Sequence, residues 1–159
     1  MLCRDRLERL FAQEQVSYRV TTHSPAYTAQ DIANAEHISG YDVAKVVLAV
    51  VDGRLAMLVL PAPYRVDLEL LRAGLHADSA RLAEEREFAD VFGDCETGAM
   101  PPFGNLYGVE VYVDPALGAH REITFNAGSH RETMTIAYAD FVRLARPRVL
   151  ALAHSPRAT

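Results

Sequence analysis

Two cysteines, Cys3 and Cys95, are all that this 159-residue chain holds, too few for a disulfide framework or a four-ligand zinc site. Reduced thiols in a cytoplasmic protein are expected, each thiol acting as a small buried hydrophobe. Long apolar runs are missing too. Val46–Val51 and Leu55–Leu60 are strand-sized, whereas a spanning helix needs about 20 apolar residues, so no membrane segment is expected. The N-terminus carries Arg4, Asp5, Arg6, Glu8 and Arg9 with no apolar stretch behind them, which does not make a secretory signal. There is no GxxxxGK[ST], no GxGxxG after a strand, no HExxH, no cysteine–histidine cluster at metal spacing and no GxSxG elbow. A phosphate-cradling nucleotide loop, a metal centre and a serine-hydrolase nucleophile are therefore not expected, and no cofactor is implied.

Basic charge is also short. The net charge is −5, which excludes broad phosphate binding and hence DNA as the main partner, but not a grip on one short end of a nucleic acid. Val66 to Glu96 holds nine acids and three arginines, and Ala119 to Leu150 five arginines and three acids, so a polyanion should meet the second region. Against fifteen arginines stands one lysine, Lys45. It opens the most apolar strand of the chain, where a solvated charge is out of place, and a compact ammonium there is not replaced by a planar guanidinium.

Hydrophobic spacing gives the elements. Leu2–Gln15 reads as a helix with Cys3, Leu7, Leu10 and Phe11 on one face, and Val16–Val20 as a short strand. Thr28 caps a helix through His37, with Gly40 as its stop. Lys45–Val51 and Arg54–Leu60 flank Asp52-Gly53, a type I′ hairpin signal, and both are apolar on two faces, so the hairpin should be covered on each side. Asp67 caps a short helix through Leu71, stopped by Gly74, and Glu84–Phe92 is a further helix with Phe88, Val91 and Phe92 inward. Val109–Val113, Glu122–Asn126 and Glu132–Ala137 read as strands and Ala139–Arg146 as a last helix, followed by a loose tail from Arg148. The expectation is a single domain over 1–159 of the α+β class, with a mixed, mostly antiparallel, barrel-like sheet flanked by helices.

Three features remain for chemistry. Lys45 supplies a cation. The Gly98–Gly104 loop, shaped by two prolines and two glycines, lets a ligand approach backbone amides closely. The turn Asn126-Ala-Gly-Ser-His130 sets polar side chains at strand ends, where ligand-orienting groups are often found. Together they supply a cation, backbone donors and a polar clamp without a strong nucleophile. That combination suits positioning of an already reactive substrate.

Those stretches are also where the sequence resembles a known family, the YbaK / prolyl-tRNA-synthetase-associated editing domains, which hydrolyse mischarged aminoacyl-tRNA. The resemblance runs from about residue 21 to 147 and rests on Ala44-Lys-Val-Val47, the GxxxP spacing of Gly98–Pro102, Pro102-Phe-Gly-Asn-Leu-Tyr-Gly108 and Phe125-Asn-Ala-Gly-Ser-His-Arg-Glu132. It implies a free-standing hydrolase in which Lys45 is the essential lysine near the terminal adenosine and the ester. Gly98 and Pro102 would belong to the loop lining the 3′ end, and His130 would shape the aminoacyl pocket. Asn126, Gly128 and Ser129 are added from the same turn, and His23 and Tyr27, before the second helix, as a possible border of the pocket.

The resemblance further implies a small aminoacyl group (alanine, cysteine, serine, threonine or a small non-protein amino acid), with Ala-tRNA(Pro) first, Cys-tRNA(Pro) next and another small aminoacyl-tRNA as the remaining alternative, because a pocket wall excludes larger residues by clash. Its partners would be the acceptor end of tRNA and a recruiting prolyl-tRNA synthetase or elongation factor. The competing readings are a non-catalytic module that holds the tRNA 3′ end or a synthetase, and a hydrolase of some other small activated ester.

Overall fold

The first helix follows from apolar residues spaced four apart. In the computed structural model, which describes residues 2–156, α1 (Cys3–Gln13) buries Cys3, Leu7 and Phe11. Val16 turns back on that helix, its amide donating to the Phe11 carbonyl (2.9 Å), so β1 runs over Arg19–Thr22 rather than Val16–Val20. Thr28 caps α2 (Ala29–Glu36), its hydroxyl accepting from the Asp31 amide at 3.0 Å. The helix stops at His37, which takes the left-handed conformation (φ 56°), while Gly40 opens a 3₁₀ turn.

β2 (Ala44–Val51) and β3 (Arg54–Pro61) form the expected hairpin, with Asp52 and Gly53 both at positive φ, as a type I′ turn requires. β4 (Arg65–Val66) leads to α3 (Leu68–Gly74), where the Asp67 carboxylate accepts from the amides of Glu69 and Leu70; the helix runs through Gly74 instead of ending at Leu71. β5 (Ala80–Leu82) pairs with β2. α4 is a single turn, Glu85–Phe88, shorter than the sequence suggests, and Val91 lies exposed while Phe92 is buried. β6 (Glu110–Val113), β7 (Glu122–Asn126), β8 (Glu132–Ala137) and α5 (Tyr138–Ala145) follow as expected.

The expected loose tail is instead ordered. β9 (Arg148–Val149) adds in parallel to β6, Leu152 is fully buried, and β10 (Ala153–His154) pairs with β4. A buried carboxylate holds it: Asp114 accepts from the amides of Ala116 (2.9 Å), Leu152 (3.0 Å) and Ala153 (3.1 Å). These partners are distant in sequence, so the tail's composition alone does not reveal them. Residues 157–159 of that tail lie outside the described residues.

The strands make sheets of order β5-β2-β3-β6-β9 and β1-β8-β7, plus the β10-β4 pair, in a mixed α+β architecture. The sheets do not close into a barrel. They meet at one parallel bridge, Val43 with Thr124. The main core joins both, with buried members from Leu7 to Ala145, and Phe103 stands against Phe11, Phe125 and Phe141. Ala44, Val46 and Leu48 face that core while Val47, Ala49 and Val51 face a second one with Leu71 and Leu152, so the hairpin is covered on both sides.

The cysteines correct the sequence expectation. Cys3 and Cys95 form a disulfide, their Cα atoms 5.2 Å apart across 92 residues of sequence. The packing of α1 brings them together, with the Cys3 amide donating to the Asp94 carbonyl at 3.1 Å. A cross-link closing so long a loop removes entropy from the unfolded chain. Cys95→Ser is expected to lower unfolding free energy by about 2–4 kcal/mol in non-reducing buffer, a difference that shrinks in dithiothreitol. Asp114→Ala should cost about 2–3 kcal/mol in urea denaturation and speed exchange of the Leu152 amide.

Candidate functional site

The candidate site lies where the two sheets part. Val43 and Thr124 are bridged in parallel, and beyond them β2 and β7 separate. Side chains alternate along a strand, so Lys45 and Asn126, each two residues further on, stand on the side of Val43 and Thr124. The opposite side carries Ala44, Val46, Phe125 and Ala127, all packed into the main core. Diverging carboxyl ends of parallel strands are a recurrent place for ligands in α/β sheets.

Lys45 is half-buried, and its Nζ donates to the Tyr64 carbonyl at 2.7 Å. An ammonium has three donors, and among the described residues this is the one hydrogen bond it makes. Burial, and then the Arg65 guanidinium, hold the Lys45 ammonium below the usual lysine range. Val43, two residues before it, packs with Ala26, Ile32 and Ala33 of the α2 region.

The floor of the cleft is polar. Asn126 pairs with Thr133 across β7 and β8, and Thr133 pairs with Thr21 of β1. The Thr133 hydroxyl donates to Glu36 Oε2 at 2.6 Å. Glu36, at the end of α2, lies 3.4 Å from His23 Nε2, and both side chains are about nineteen-twentieths buried. His23 Nδ1 donates to the Ser24 carbonyl at 2.6 Å. Further along the same face the hydroxyls of Thr124 and Thr135 bond to each other at 2.7 Å. Two buried atoms here have no hydrogen-bond partner, His23 Nε2 and Asn126 Oδ1.

The rim comes from three loops. His130 Nε2 donates to the Thr97 carbonyl at 3.0 Å, which leaves Nδ1 as an acceptor, buried and unpartnered. The Tyr27 ring lies 4.7 Å from the imidazole, centroid to centroid. Gly98 sits at φ +86°, and a Cβ there would lie 3.6 Å from His130 Cε1. Gly128, at φ +94°, is pressed against the disulfide, where a Cβ would come 2.6 Å from Cys3 Cβ. Backbone bonds tie the loops together: Gly128 donates to Ala99, Glu96 to Gly128, Ala26 to His130 and His23 to Arg131. Ser129 Oγ accepts from the Arg131 amide, so it shapes the turn. Pro102 is buried in the wall of its loop.

Gly98, Gly128, His130 and Tyr27 are thus brought together, and His23 and Asn126 lie on the adjoining floor. Among the described residues no hydrogen bond joins Lys45 directly to His130; the segment from Ala26 to Val43 connects their surroundings. Sequence reading missed Glu36 and Thr133. Each looks like an ordinary solvent-facing residue of an amphipathic element, and nothing local marks it as buried. Cys3, Asp94 and Cys95 are the one group with metal-ligand spacing among the described residues, and the disulfide uses both sulfurs. No helix among the described residues is long and apolar enough to cross a membrane.

The chain belongs to the aminoacyl-tRNA editing domain family, whose model matches residues 23–144, and it is accordingly an aminoacyl-tRNA deacylase. It is 29% identical over 150 residues to the multifunctional Ser/Thr-tRNA deacylase ProXp-y of Escherichia coli (strain K12), covering 91% of this chain and 89% of the relative. The fold matches that of a hypothetical protein with a TM-score of 0.84 at 17% identity, over 93% of this chain and 99% of the other. It also matches a candidate trans-editing enzyme for prolyl-tRNA synthetase with a TM-score of 0.81 at 18% identity, over 96% and 98% of the two chains.

Because Lys45 is the only lysine, reductive ¹³C-methylation labels it and the α-amino group alone. Its NMR titration midpoint is expected below the ordinary 10.5 and should rise in Arg65→Gln, where a neighbouring positive charge no longer opposes protonation.

Proposed function

We propose that the cleft between β2 and β7 binds the 3′ end of an aminoacyl-tRNA and hydrolyses an ester bearing a small residue. The observation that carries this reading is the placement of Lys45 and Asn126 on one side of the strands just past the Val43–Thr124 bridge. An aminoacyl ester is already activated, so water attacks it without a strong protein base when it is held and its developing oxyanion is stabilised. Lys45 supplies that positive charge, either at the ester carbonyl or at the terminal phosphate. The Gly98 loop and His130 line the 3′ end and the aminoacyl group, with Tyr27 at the border. The substrate's own ribose hydroxyl or amine carries the proton.

Among small residues, serine and threonine come first, because the Escherichia coli relative is named for them and the floor of the cleft is polar. The sequence-based choice, Ala-tRNA(Pro) deacylated beside prolyl-tRNA synthetase, is the second reading, and the shared fold with a candidate trans-editing enzyme for that synthetase is in keeping with it. With a net charge of −5, contact is confined to the acceptor end.

Deacylation of Ser-, Thr-, Cys- and Ala-tRNA(Pro) by wild type, Lys45→Ala and Lys45→Arg tests the reading. Loss of one such charge should lower turnover by about 10²–10³ with the circular dichroism melt unchanged, and arginine should not restore it. Equal rates in wild type and Lys45→Ala would remove Lys45 from the mechanism. A near-normal rate on tRNA ending in 2′-deoxyadenosine would remove the ribose hydroxyl from it.

A further inference from the structure

Three side-chain donors of the β1-β8-β7 sheet and the segment after β1 are already committed. Its cross-strand neighbour Thr133 gives its proton to Glu36. Thr124 and Thr135, further along the same face, bond to each other. His23 Nδ1 donates to the Ser24 carbonyl. Asn126 Oδ1 is nevertheless buried and accepts nothing from the described residues. A buried acceptor without a donor is costly, and native proteins keep few of them. Here the acceptor stands on the side of β7 that carries the cleft, two residues past the bridge to β2.

We propose that Asn126 is a specificity-determining residue whose carboxamide oxygen accepts a hydrogen bond from the side chain of the aminoacyl group, and so favours hydroxyl-bearing residues over alanine. The inference rests on the deacylase reading of the cleft and assigns one part of its selectivity to one atom. The Glu36–Thr133 hydrogen bond makes the assignment sharp. Because that bond engages the hydroxyl proton of the cross-strand neighbour, Thr133 does not quench the oxygen. A serine or threonine side chain supplies the missing donor, while an alanine leaves the acceptor as bare as it is in the free protein. Sites built to hydrogen-bond a substrate hydroxyl discriminate against the analogue that lacks it, because the buried group is then left unpaired. The α-amino group of the substrate is a second source of the same donor chemistry. It is common to seryl and alanyl esters, which separates the two sources.

The test is kcat/KM for Ser-tRNA, Thr-tRNA and Ala-tRNA, all on one tRNA body, with wild type, Asn126→Leu, Asn126→Ala and Asn126→Asp. The ratio of seryl to alanyl rates does not depend on the fraction of folded enzyme, so it remains readable in a weakened variant. Asn126→Leu and Asn126→Ala are expected to lower the seryl and threonyl values by about 10–100-fold, with the alanyl value within about threefold of wild type. Asn126→Asp keeps an acceptor and should retain the wild-type ratio within about threefold. A uniform fall on all three esters would assign Asn126 to the α-amino group or to general shape and overturn the proposal. An unchanged ratio in Asn126→Leu and Asn126→Ala would overturn it as well. Wild-type protein inactive on all three esters would overturn the deacylase reading of these substrates together with the inference, an outcome distinct from active enzyme with an unmoved ratio.

Discussion

The parallel bridge between Val43 and Thr124 holds the two sheets side by side for one residue pair and then lets them diverge. The proposed site sits at that divergence. Apolar alternation on β2 and β7 turns Ala44, Val46, Phe125 and Ala127 into the main core, which leaves Lys45 and Asn126 on the opposite side. The hairpin anchors one wall through a complete antiparallel register from Ala44–Pro61 to Val51–Arg54, and the Thr124–Thr135 pair anchors the other. A shift of one residue in either strand would exchange the polar and apolar faces.

Over this framework α2 acts as a cover. Its start is fixed by the Thr28 cap, and its end reaches the β1-β8-β7 sheet through Glu36, which accepts from Thr133 and faces His23. Buried polar networks hold their members in place only when nearly every member is satisfied. Here the satisfied bonds lie toward the protein, and the unsatisfied atoms, Asn126 Oδ1, His23 Nε2 and His130 Nδ1, lie on the floor and rim described above.

The rim depends on elements far away in sequence. The 96–99 and 126–131 segments are laced by backbone hydrogen bonds, and the Cys3–Cys95 disulfide with the first turn of α1 lies directly behind Gly128. Gly128 has no room for a Cβ there, and its positive φ suits glycine independently. On the other side of the molecule, Asp114 draws the C-terminal segment onto β6 and β4, which completes the second core around Leu71 and Leu152. Together these two ties enclose the sheets at both ends of the chain.

Local rules were sufficient for much of this. The Asp52-Gly53 turn, the Thr28 and Asp67 caps, the alternation of β7 and β8 and the single lysine at a strand start are all legible because each depends on neighbours within a few residues. The motif stretches around Lys45, Gly98 and Asn126–His130 likewise mark the family in the sequence itself. Tertiary structure alone decided that Cys3 meets Cys95, that the segment after Arg148 is ordered, that the sheets stay open, and that Glu36 and Thr133 lie beneath the cleft rather than in solvent. Each of these depends on partners tens of residues apart. Burial of a polar side chain is a property of what packs over it, and no spacing within its own element encodes that.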